Sequence, residues 1–260
     1  MNRYERLNSL LELLADRGRL DVEDVAAELA VSTATIRRDF DHLAQQQLVT
    51  RTRGGAVAQS VAYDLPLRYK TQRHATEKQR IGRAAADLVE PGMTVGLNGG
   101  TTTTEVARAL ATHADLNSGN EPTVTVVTNA LNIANELTVR PHVKIVLTGG
   151  VARPQSYELI GPLATRILED LSLDVAFLGV DGVDPEAGAT AFHEGEANIN
   201  SLIARQARRV AVVADASKLG QRTFARICPI NDVDVLITDT AASPEAVDRF
   251  RDAGIEVVQA

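Results

Sequence analysis

The sequence predicts an α/β protein in two parts: a small helical unit at the N-terminus, followed by a domain built on a largely parallel sheet. In the first part, apolar side chains recur at helical spacing in short blocks. In the second, continuous apolar runs rich in β-branched residues alternate with helical stretches, a pattern typical of strands buried on both faces of a sheet. The 260 residues include 44% hydrophobic and 23% charged residues, which is the composition of a globular protein.

The composition excludes several classes of protein. No segment approaches the roughly 18 consecutive apolar residues of a membrane span, and the first residues lack the apolar core of a secretion signal. Cys228 is the only cysteine, so neither an intramolecular disulfide nor a cysteine-based zinc site can form. We therefore expect a cytoplasmic protein that contacts no membrane and uses no metal and no cofactor.

The charge is unevenly distributed along the chain. Residues 1–75 carry 11 Lys and Arg against 10 Asp and Glu, whereas the remaining residues carry 16 against 24. Residues 48–75 hold five basic side chains and a single acidic one. An acidic protein with a locally basic N-terminal part is suited to contact a polyanion at that end.

Three helices are predicted in the first part. Leucines at i, i+3, i+4 and i+7 predict an amphipathic helix over residues 3–16, which Gly18 ends. A second helix follows Asp21 and a third follows Ser32, both of which are good N-cap residues. Two helices joined by a short break form the bi-helical unit with which many proteins read DNA.

A projection of the third helix at 100° per residue separates two faces. Ile36, Phe40 and Leu43 face the first two helices. The residues that point away from those helices are Ala34, Arg38, Asp41 and Gln45. Thr35 and Arg37 flank this outward face. The arginines thus lie near a helix N-terminus, where the macrodipole and the free N–H groups favour phosphate.

Residues 48–58, LVTRTRGGAVA, alternate around a pair of glycines and predict a β-hairpin, or wing. Arg51 and Arg53, two apart, are expected on one face of a strand. The third helix and the wing together predict binding to double-stranded operator DNA; the alternative is a solvated three-helix cap with incidental arginines. The predicted DNA-binding residues are Ser32, Thr33, Thr35, Arg37, Arg38, Arg51 and Arg53.

The run DVEDVAAELAVSTATIRRDF, followed by LVTRTRGGA, resembles the N-terminal winged helix-turn-helix of the DeoR-type bacterial transcriptional regulators. The resemblance rests chiefly on the serine-to-TIRRD run and on the GGA of the wing. Phe40 stands where that family usually has leucine, and Arg53 where it usually has histidine.

Residues 59–75, which contain Pro66, show no period and are predicted to be a linker. A helix stripe with Ile81 and Ala85 then opens the second domain, so that the predicted division is 1–58, 59–75 and 76–260. The predicted strands of the second domain are 93–97, 124–128, 144–148, 175–180, 209–215, 234–239 and 256–258.

NGGTTTT, residues 98–104, follows the first of these strands, at the edge of a parallel sheet where ligands bind. Two glycines with free N–H groups and several threonines at the start of a helix predict a phosphate cradle; the alternative is a strand-to-helix turn with capping threonines. It is neither a Walker A loop nor a GxGxxG fingerprint. Lys218 could reach a phosphate. The side chains suited to sugar hydroxyls are Asn129, Asp181, Asp184 and Glu194.

The resemblance continues through VVTNA, LTGG, AFLGVDGVD and VADASK, and so covers nearly the whole chain. It implies an effector domain similar in fold to ribose-5-phosphate isomerase A, which senses a phosphorylated sugar or related metabolite. The family usually has aspartate at the position of Asn98. The effector-binding residues that the resemblance implies are Asn98, Gly99, Gly100, Thr101, Thr102, Thr103, Thr128, Asn129, Gly149, Gly150, Asp181, Glu194 and Lys218.

The expected function is a transcriptional regulator, a repressor of a carbohydrate-metabolism operon whose operator binding is modulated by the sugar phosphate; an activator stays open. Because one winged helix contacts only a half-site, we expect a homo-oligomer, dimer or tetramer. The alternative is a sugar-phosphate isomerase-like enzyme with an appended DNA-binding head. The run after GVDGVD lacks the lysine and the glycine-rich segment that the isomerase resemblance requires, so we expect no enzymatic activity.

Overall fold

A computed structural model of the chain describes residues 1–46, 48–58, 67, 73–117 and 121–260. These residues fall into two compact units, Met1–Thr71 and Gln72–Ala260. The predicted linker, 59–75, lies largely outside the described residues. Within them, no helix is long and apolar enough to cross a membrane.

The first unit is a winged helix-turn-helix, as predicted. Its elements are α1 (Arg3–Arg17), β1 (Arg19–Asp21), α2 (Val22–Glu28), α3 (Thr33–Gln45), β2 (Val49–Arg51) and β3 (Gly55–Ala58). The three strands form an antiparallel sheet in the order β1-β3-β2. The sequence pattern did not predict β1, because a three-residue strand carries too few residues to show an alternation.

The helices of this unit form where the capping residues predicted them. Gly18 ends α1 in the left-handed conformation at φ 69°. The Asp21 and Ser32 side chains accept hydrogen bonds from the N–H groups of Glu23 and Thr35, which closes the first turns of α2 and α3. The buried core contains the predicted apolar stripes, namely Leu7, Leu10, Leu11, Leu14, Val22, Val25, Ala26, Ile36, Phe40 and Leu43.

The wing is tied to β1 by a very close approach of backbones. A Cβ added at Gly55 would lie 1.8 Å from the Leu20 carbonyl oxygen. Nearby, the Val22 N–H donates to the Gly54 carbonyl at 2.8 Å. The glycine of the GGA motif is therefore required at position 55 by the contact between two strands, and not by the turn itself.

Gly55→Ala is expected to destabilise the first unit by about 1–3 kcal/mol or more, because the methyl group overlaps backbone atoms that cannot rotate away. Hydrogen exchange of the amides in β1 and β3 measures the loss. Gly54→Ala is the matched control: its added Cβ would meet only the Asp21 side chain, at 3.2 Å. Equal exchange in the two variants would contradict the argument.

The second unit is an α/β domain. Its elements in chain order are α4 (Ala75–Ala86), β4 (Thr94–Leu97), α5 (Thr101–Thr112), β5 (Val124–Thr128), α6 (Leu131–Leu137), β6 (Val143–Leu147), β7 (Val151–Ala152), β8 (Leu159–Ile160), α7 (Pro162–Glu169), β9 (Leu173–Gly179), β10 (Gly182–Asp184), β11 (Gly188–Ala191), α8 (Glu194–Arg205), β12 (Ala207–Val213), β13 (Ala225–Cys228), β14 (Val235–Thr238), α9 (Pro244–Asp252) and β15 (Glu256–Gln259).

All seven predicted strands lie in one parallel sheet, in the order β15-β14-β12-β9-β4-β5-β6. Its two faces bury separate apolar layers, one packed against α4, α5 and α6 and the other against α7, α8 and α9. The short antiparallel pairs were not predicted. These are the β7–β8 hairpin and the β10-β11-β13 sheet, whose strands have two to four residues each.

The strand order places a crevice between β4 and β9. From β4 the chain continues to β5 and β6 on one side, while β9, β12, β14 and β15 extend on the other side. The loops that follow β4 and β9 therefore leave in opposite directions at the carboxyl ends of neighbouring strands, which is where open parallel sheets bind ligands.

Candidate functional site

The outward face of α3 carries exposed cations. Arg37 and Arg38 are exposed, whereas Ile36, Phe40 and Leu43 are fully buried, which confirms the predicted division of the helix into two faces. In the part of the chain that the structure describes, neither arginine forms a salt bridge. Their guanidinium groups are therefore available to an external anion.

The start of α3 is closed by Ser32. The Ser32 Oγ accepts from the Thr35 N–H at 3.2 Å and lies 2.9 Å from the Thr35 hydroxyl. Both side chains thus serve the N-cap, while Thr33 is exposed. Thr33 is therefore better placed than Ser32 or Thr35 to meet a partner.

Arg51, at the end of β2, braces the wing against α3. Its Nη1 donates to the Gly55 carbonyl at 2.6 Å, and its Nε lies 2.9 Å from Asp41 Oδ1. Its guanidinium also stacks 5.5 Å from the centre of the Phe40 ring. These contacts give Arg51 a structural role in addition to the predicted one.

Arg53 does not share a strand face with Arg51, so that prediction was wrong. β2 ends at Arg51, and Arg53 lies in the turn, where it is exposed. The turn is tighter than the sequence suggested, because the Thr52 N–H already donates to the Gly55 carbonyl at 3.0 Å. Arg53 therefore projects from the tip of the wing.

A buried ion pair joins α1 to α3. Arg6 Nε donates to Asp39 Oδ2 at 2.5 Å and Arg6 Nη2 to Asp39 Oδ1 at 3.3 Å. The Asp39 side chain is 3% exposed and that of Arg6 is 12% exposed. The hydrogen bond from Arg6 to Asp39 raises the pKa of the guanidinium further, in spite of its burial. This pair fixes the tilt of α3 against the rest of the unit.

In the second unit, Asn98 joins β4 to β9 at the crevice. Its Nδ2 donates to the Gly179 carbonyl at 2.9 Å and its Oδ1 accepts from the Gly179 N–H at 2.8 Å. The side chain is buried. One N–H and the oxygen of the amide are thus engaged by Gly179, so Asn98 holds the ends of β4 and β9 together.

Asn98→Asp is expected to destabilise the second unit by about 1–3 kcal/mol near neutral pH, because a carboxylate cannot donate to the Gly179 carbonyl. The loss should shrink as the pH falls, since a protonated carboxyl regains the donor. Thermal unfolding at pH 5 and pH 8 measures this, with the exposed Asn198→Asp on α8 as the control. A loss that does not depend on pH would contradict the assigned role.

The predicted phosphate cradle is partly filled by a carboxyl group of the protein itself. The Gly99 N–H donates to Glu158 Oε1 at 2.6 Å. Glu158, which precedes β8, is 2% exposed. A Cβ at Gly99 would lie 2.4 Å from the Glu158 Cγ, so the glycine permits this close contact.

The N-terminus of α5 lies directly beyond. Its N-cap, Gly100, has φ 146° and provides no side-chain cap. The Thr103 and Thr104 hydroxyls donate to the Gly100 carbonyl at 3.2 and 2.6 Å, so they are used within the helix. The first N–H groups of an α-helix have no acceptor within the helix, and at this helix they belong to Thr101, Thr102 and Thr103.

Glu158 belongs to a cluster of three acidic residues. Glu196 of α8 and Asp181, after β9, both act on it electrostatically. The Glu196 carboxylate pairs with Arg153 at 3.0 Å, and Asp181 Oδ2 accepts from the Phe192 N–H at 3.0 Å. In the described residues, no group of three or more His, Cys, Asp or Glu side chains could hold a metal ion.

The cluster changes the protonation of Glu158. Burial first, then the negative charges of Glu196 and Asp181, raise the pKa of Glu158 to about 8, against the opposing effects of the Gly99 N–H and the Asn200 side chain. Glu158 Oε2 has no hydrogen-bond partner in the described part of the chain. At pH 7 this carboxyl is therefore largely neutral.

Other predicted residues line the same edge of the sheet. Thr128 Oγ1 accepts from the Ala130 N–H at 3.1 Å, and Asn129 Nδ2 approaches the Leu159 carbonyl at 3.5 Å. Gly149 and Gly150 lie between β6 and β7. Asn129 Oδ1 is buried without a partner in the described residues.

Three predicted polar residues have other surroundings. Glu194 is exposed at the first position of α8. Asp184 is buried and bonds the N–H groups of Glu186 and Ala187, so it holds a turn. Lys218 follows β12 in a short 3₁₀ turn, beside the buried carboxylate of Asp215.

The surroundings of Asp215 are positively charged. Burial raises the pKa of Asp215, but its hydrogen bond with Ser217 and the charges of Lys78, Lys218 and His74 lower the pKa overall. The Lys78 side chain is itself buried. The carboxyl end of β12 thus carries positive charge around Asp215, whereas the group around Glu158 is acidic.

Comparison with known protein families accounts for both units. The family model described as the DeoR-like helix-turn-helix domain matches residues 6–61, and the model described as the DeoR C terminal sensor domain matches residues 73–240. The chain belongs to the DeoR family. It is accordingly a DNA-binding protein of transcription regulation.

Relatives of this DeoR-family chain match it over nearly its full length. The putative aga operon transcriptional repressor of Escherichia coli O157:H7 is 33% identical over 98% of this chain and 93% of the relative. The glycerol-3-phosphate regulon repressor of Escherichia coli K12 is also 33% identical, over 92% of each chain. The transcriptional repressor GlcR of Bacillus subtilis 168 is 33% identical over 99% of this chain and 96% of the relative.

Solved structures are similar to the chain at lower identity. Ribose 5-phosphate isomerase A from Methanocaldococcus jannaschii is 20% identical, with a TM-score of 0.41, over 56% of this chain and 54% of that one. The full-length sorbitol operon regulator SorC from Klebsiella pneumoniae is 14% identical, with a TM-score of 0.43, over 96% of this chain and 99% of that one.

Several residues that structure this chain's candidate sites were not predicted from the sequence. They are Arg6, Asp39, Arg153, Glu158, Glu196 and Asn200. Two of them carried a signal: Glu196 and Asn200 are four apart and share the buried face of α8. Polar residues on an apolar helix face indicate a partner across the interface, and that inference leads to Glu158.

Proposed function

We propose that this DeoR-family protein represses a carbohydrate-metabolism operon, and that a phosphorylated sugar bound to its C-terminal domain changes its affinity for operator DNA. The observation that carries the proposal is that one chain has both features: exposed arginines on α3, and a helix N-terminus without a side-chain cap at the carboxyl edge of the parallel sheet. The names of the relatives, as repressors of the aga operon and of the glycerol-3-phosphate regulon, support the same proposal.

At the DNA, α3 enters the major groove with Arg37 and Arg38 facing bases and phosphates, and Thr33 meets the backbone at its start. Arg53, at the tip of the wing, contacts an adjacent phosphate. Ser32, Thr35 and Arg51 act mainly by holding α3 and the wing in place. One such unit covers a half-site, so the active form is a homo-oligomer, either a dimer or a tetramer. In each chain, residues 59–75 are the linker between the DNA-binding domain and the effector domain.

At the effector, the phosphate lies at the N-terminus of α5, on the N–H groups of Gly100, Thr101, Thr102 and Thr103, with Lys218 nearby. The sugar hydroxyls meet Asn129 and Asp181. Five further residues of the predicted set shape the crevice around the ligand; they are Asn98, Gly99, Thr128, Gly149 and Gly150. Glu194, exposed at the start of α8, takes no part in this arrangement. The effector acts by binding one arrangement of the oligomer better than the other.

The test is fluorescence anisotropy of the full-length protein on labelled DNA from upstream of its own gene, with unrelated DNA as the control. Salt is held constant, because it changes such affinities strongly. Ribose 5-phosphate, glucose 6-phosphate, fructose 1-phosphate and glycerol 3-phosphate are added in turn. Specific binding that one compound shifts supports the proposal; equal binding to both DNAs contradicts the operator role.

The same preparation also tests the alternative, an isomerase-like enzyme. Pure protein is incubated with each sugar phosphate and the products are separated by chromatography. No turnover is expected, because the domain is proposed to sense its ligand and not to convert it. Steady turnover of any compound would overturn that assignment.

A further inference from the structure

We propose that Glu158 is an internal competitor for the phosphate subsite: its carboxyl holds the Gly99 N–H, and an effector phosphate displaces it from that group. The inference rests on the proposed function for the identity of the effector. It adds a residue that neither the sequence reasoning nor the family resemblance assigned to the site.

The geometry places Glu158 where an external anion would bind. Gly99 immediately precedes the N-cap of α5, and its N–H is 2.6 Å from Glu158 Oε1. The helix beyond has no side-chain cap. The buried carboxyl therefore occupies the Gly99 N–H, a donor next to the helix N-terminus that would otherwise be open to a phosphate.

The other oxygen of the carboxyl is unsatisfied. Glu158 Oε2 has no hydrogen-bond partner among the described residues, although the side chain is 2% exposed. Asn200 Oδ1, an acceptor on the neighbouring α8, is also buried without a partner. Apart from the electrostatic effect of the Asn200 side chain, the carboxyl is therefore held through Oε1 alone, and a carboxyl with one bonded oxygen is easier to displace than one that is fully bonded.

The charges around the subsite make the protonation of Glu158 decisive. The groups that face it are Glu196 from α8 and Asp181 from the end of β9, with Arg153 already paired to Glu196. A phosphate dianion brought next to three ionised carboxylates would be strongly repelled. When Glu158 is neutral, the repulsion is smaller and its hold on the Gly99 N–H is weaker.

The affinity for an anion should fall as the pH rises and Glu158 becomes ionised. The pKa of Glu158 is raised to about 8, so the neutral form dominates at pH 7 and the ionised form at pH 9.5. A phosphate monoester stays a dianion across this range, because its second pKa is about 6. If only the neutral form admits the anion, affinity should fall about thirtyfold between pH 7 and pH 9.5.

The experiment uses inorganic sulfate, which does not titrate in this range, as the probe. The backbone amide resonance of Gly99 in ¹⁵N-labelled full-length protein reports its binding at constant ionic strength. The wild type should lose about thirtyfold in sulfate affinity from pH 7 to pH 9.5. Glu158→Gln, which removes the charge and keeps the shape, should show little change. Glu169→Gln, an exposed residue of α7, should behave as the wild type.

The unmodified protein provides an independent readout if the Glu158→Gln protein does not fold. Its Gly99 amide should titrate with a midpoint near pH 8 in the absence of sulfate, because its acceptor changes charge. No such titration, no response of Gly99 to 100 mM sulfate, or the same pH dependence in wild type and Glu158→Gln would each overturn the proposal.

The two experiments separate a failure of the Glu158 role from a failure of the proposed sugar-phosphate effector. If sulfate behaves as expected but no sugar phosphate alters operator binding, the anion subsite stands and the proposed effector class fails. If a sugar phosphate shifts operator binding equally at pH 7 and pH 9.5 in both proteins, the regulator stands and the role of Glu158 is overturned.

Discussion

Asp39→Ala is expected to destabilise the N-terminal unit by about 3–5 kcal/mol, the usual consequence of leaving a buried charge without its partner. The Arg6 guanidinium, 12% exposed, would lose both hydrogen bonds to the Asp39 carboxylate. Because the pair joins α1 to α3, the helices should open together. Hydrogen exchange of the α1 and α3 amides in the full-length protein measures the free energy of that opening.

Two controls separate the ion pair from other effects. Asp41→Ala removes an exposed carboxylate from the same helix and should change the α1 amides little. The double change of Arg6 and Asp39 to apolar residues of similar volume should recover much of the loss, because no buried charge is then left unpaired. If the double variant opens as easily as Asp39→Ala, the destabilisation has another cause.

Arg38→Ala is expected to weaken operator binding by about 1–3 kcal/mol for each helix in contact, and thus by about 2–6 kcal/mol for a pair of half-sites. The side chain is exposed on α3, so its loss should leave the fold intact. Anisotropy with operator DNA at fixed salt measures the effect. The affinity for a sugar phosphate, determined by calorimetry, should not change.

Arg17→Ala is the matched control for this experiment. Arg17 lies at the end of α1, paired with Glu28 of α2 at 2.8 Å, and is not part of α3 or the wing. Its removal should change operator affinity little beyond the general effect of one charge. Equal losses from Arg17→Ala and Arg38→Ala would mean that the domain binds DNA through its overall charge and not through α3.

The regular elements could be predicted because their signals are local. The faces of α3 follow from the spacing of Ile36, Phe40 and Leu43, and the seven strands follow from continuous apolar runs. Each of these features depends on residues within a few positions of one another. The sequence therefore contains them in a form that periodicity detects.

The details of the sites depend on contacts between distant segments. Glu158 meets Gly99 across 59 positions, Asn98 meets Gly179 across 81, and Arg6 meets Asp39 across 33. No spacing rule connects such residues, so the sequence could predict the glycine–threonine turn after β4 but not the buried carboxyl that bonds to its Gly99 N–H. For the same reason Asn98 was expected to face a ligand, although both ends of its amide are used between two strands.

The close contact between the wing and β1 bears on which DNA shapes the protein can bind. Because Gly55 lies against Leu20 and the Val22 N–H bonds to Gly54, the wing and the start of α2 form one stiff body. We expect such a body to adjust little to grooves of different width. An operator whose grooves do not match must bend or narrow to fit, so base steps that no side chain touches should influence affinity through their deformability.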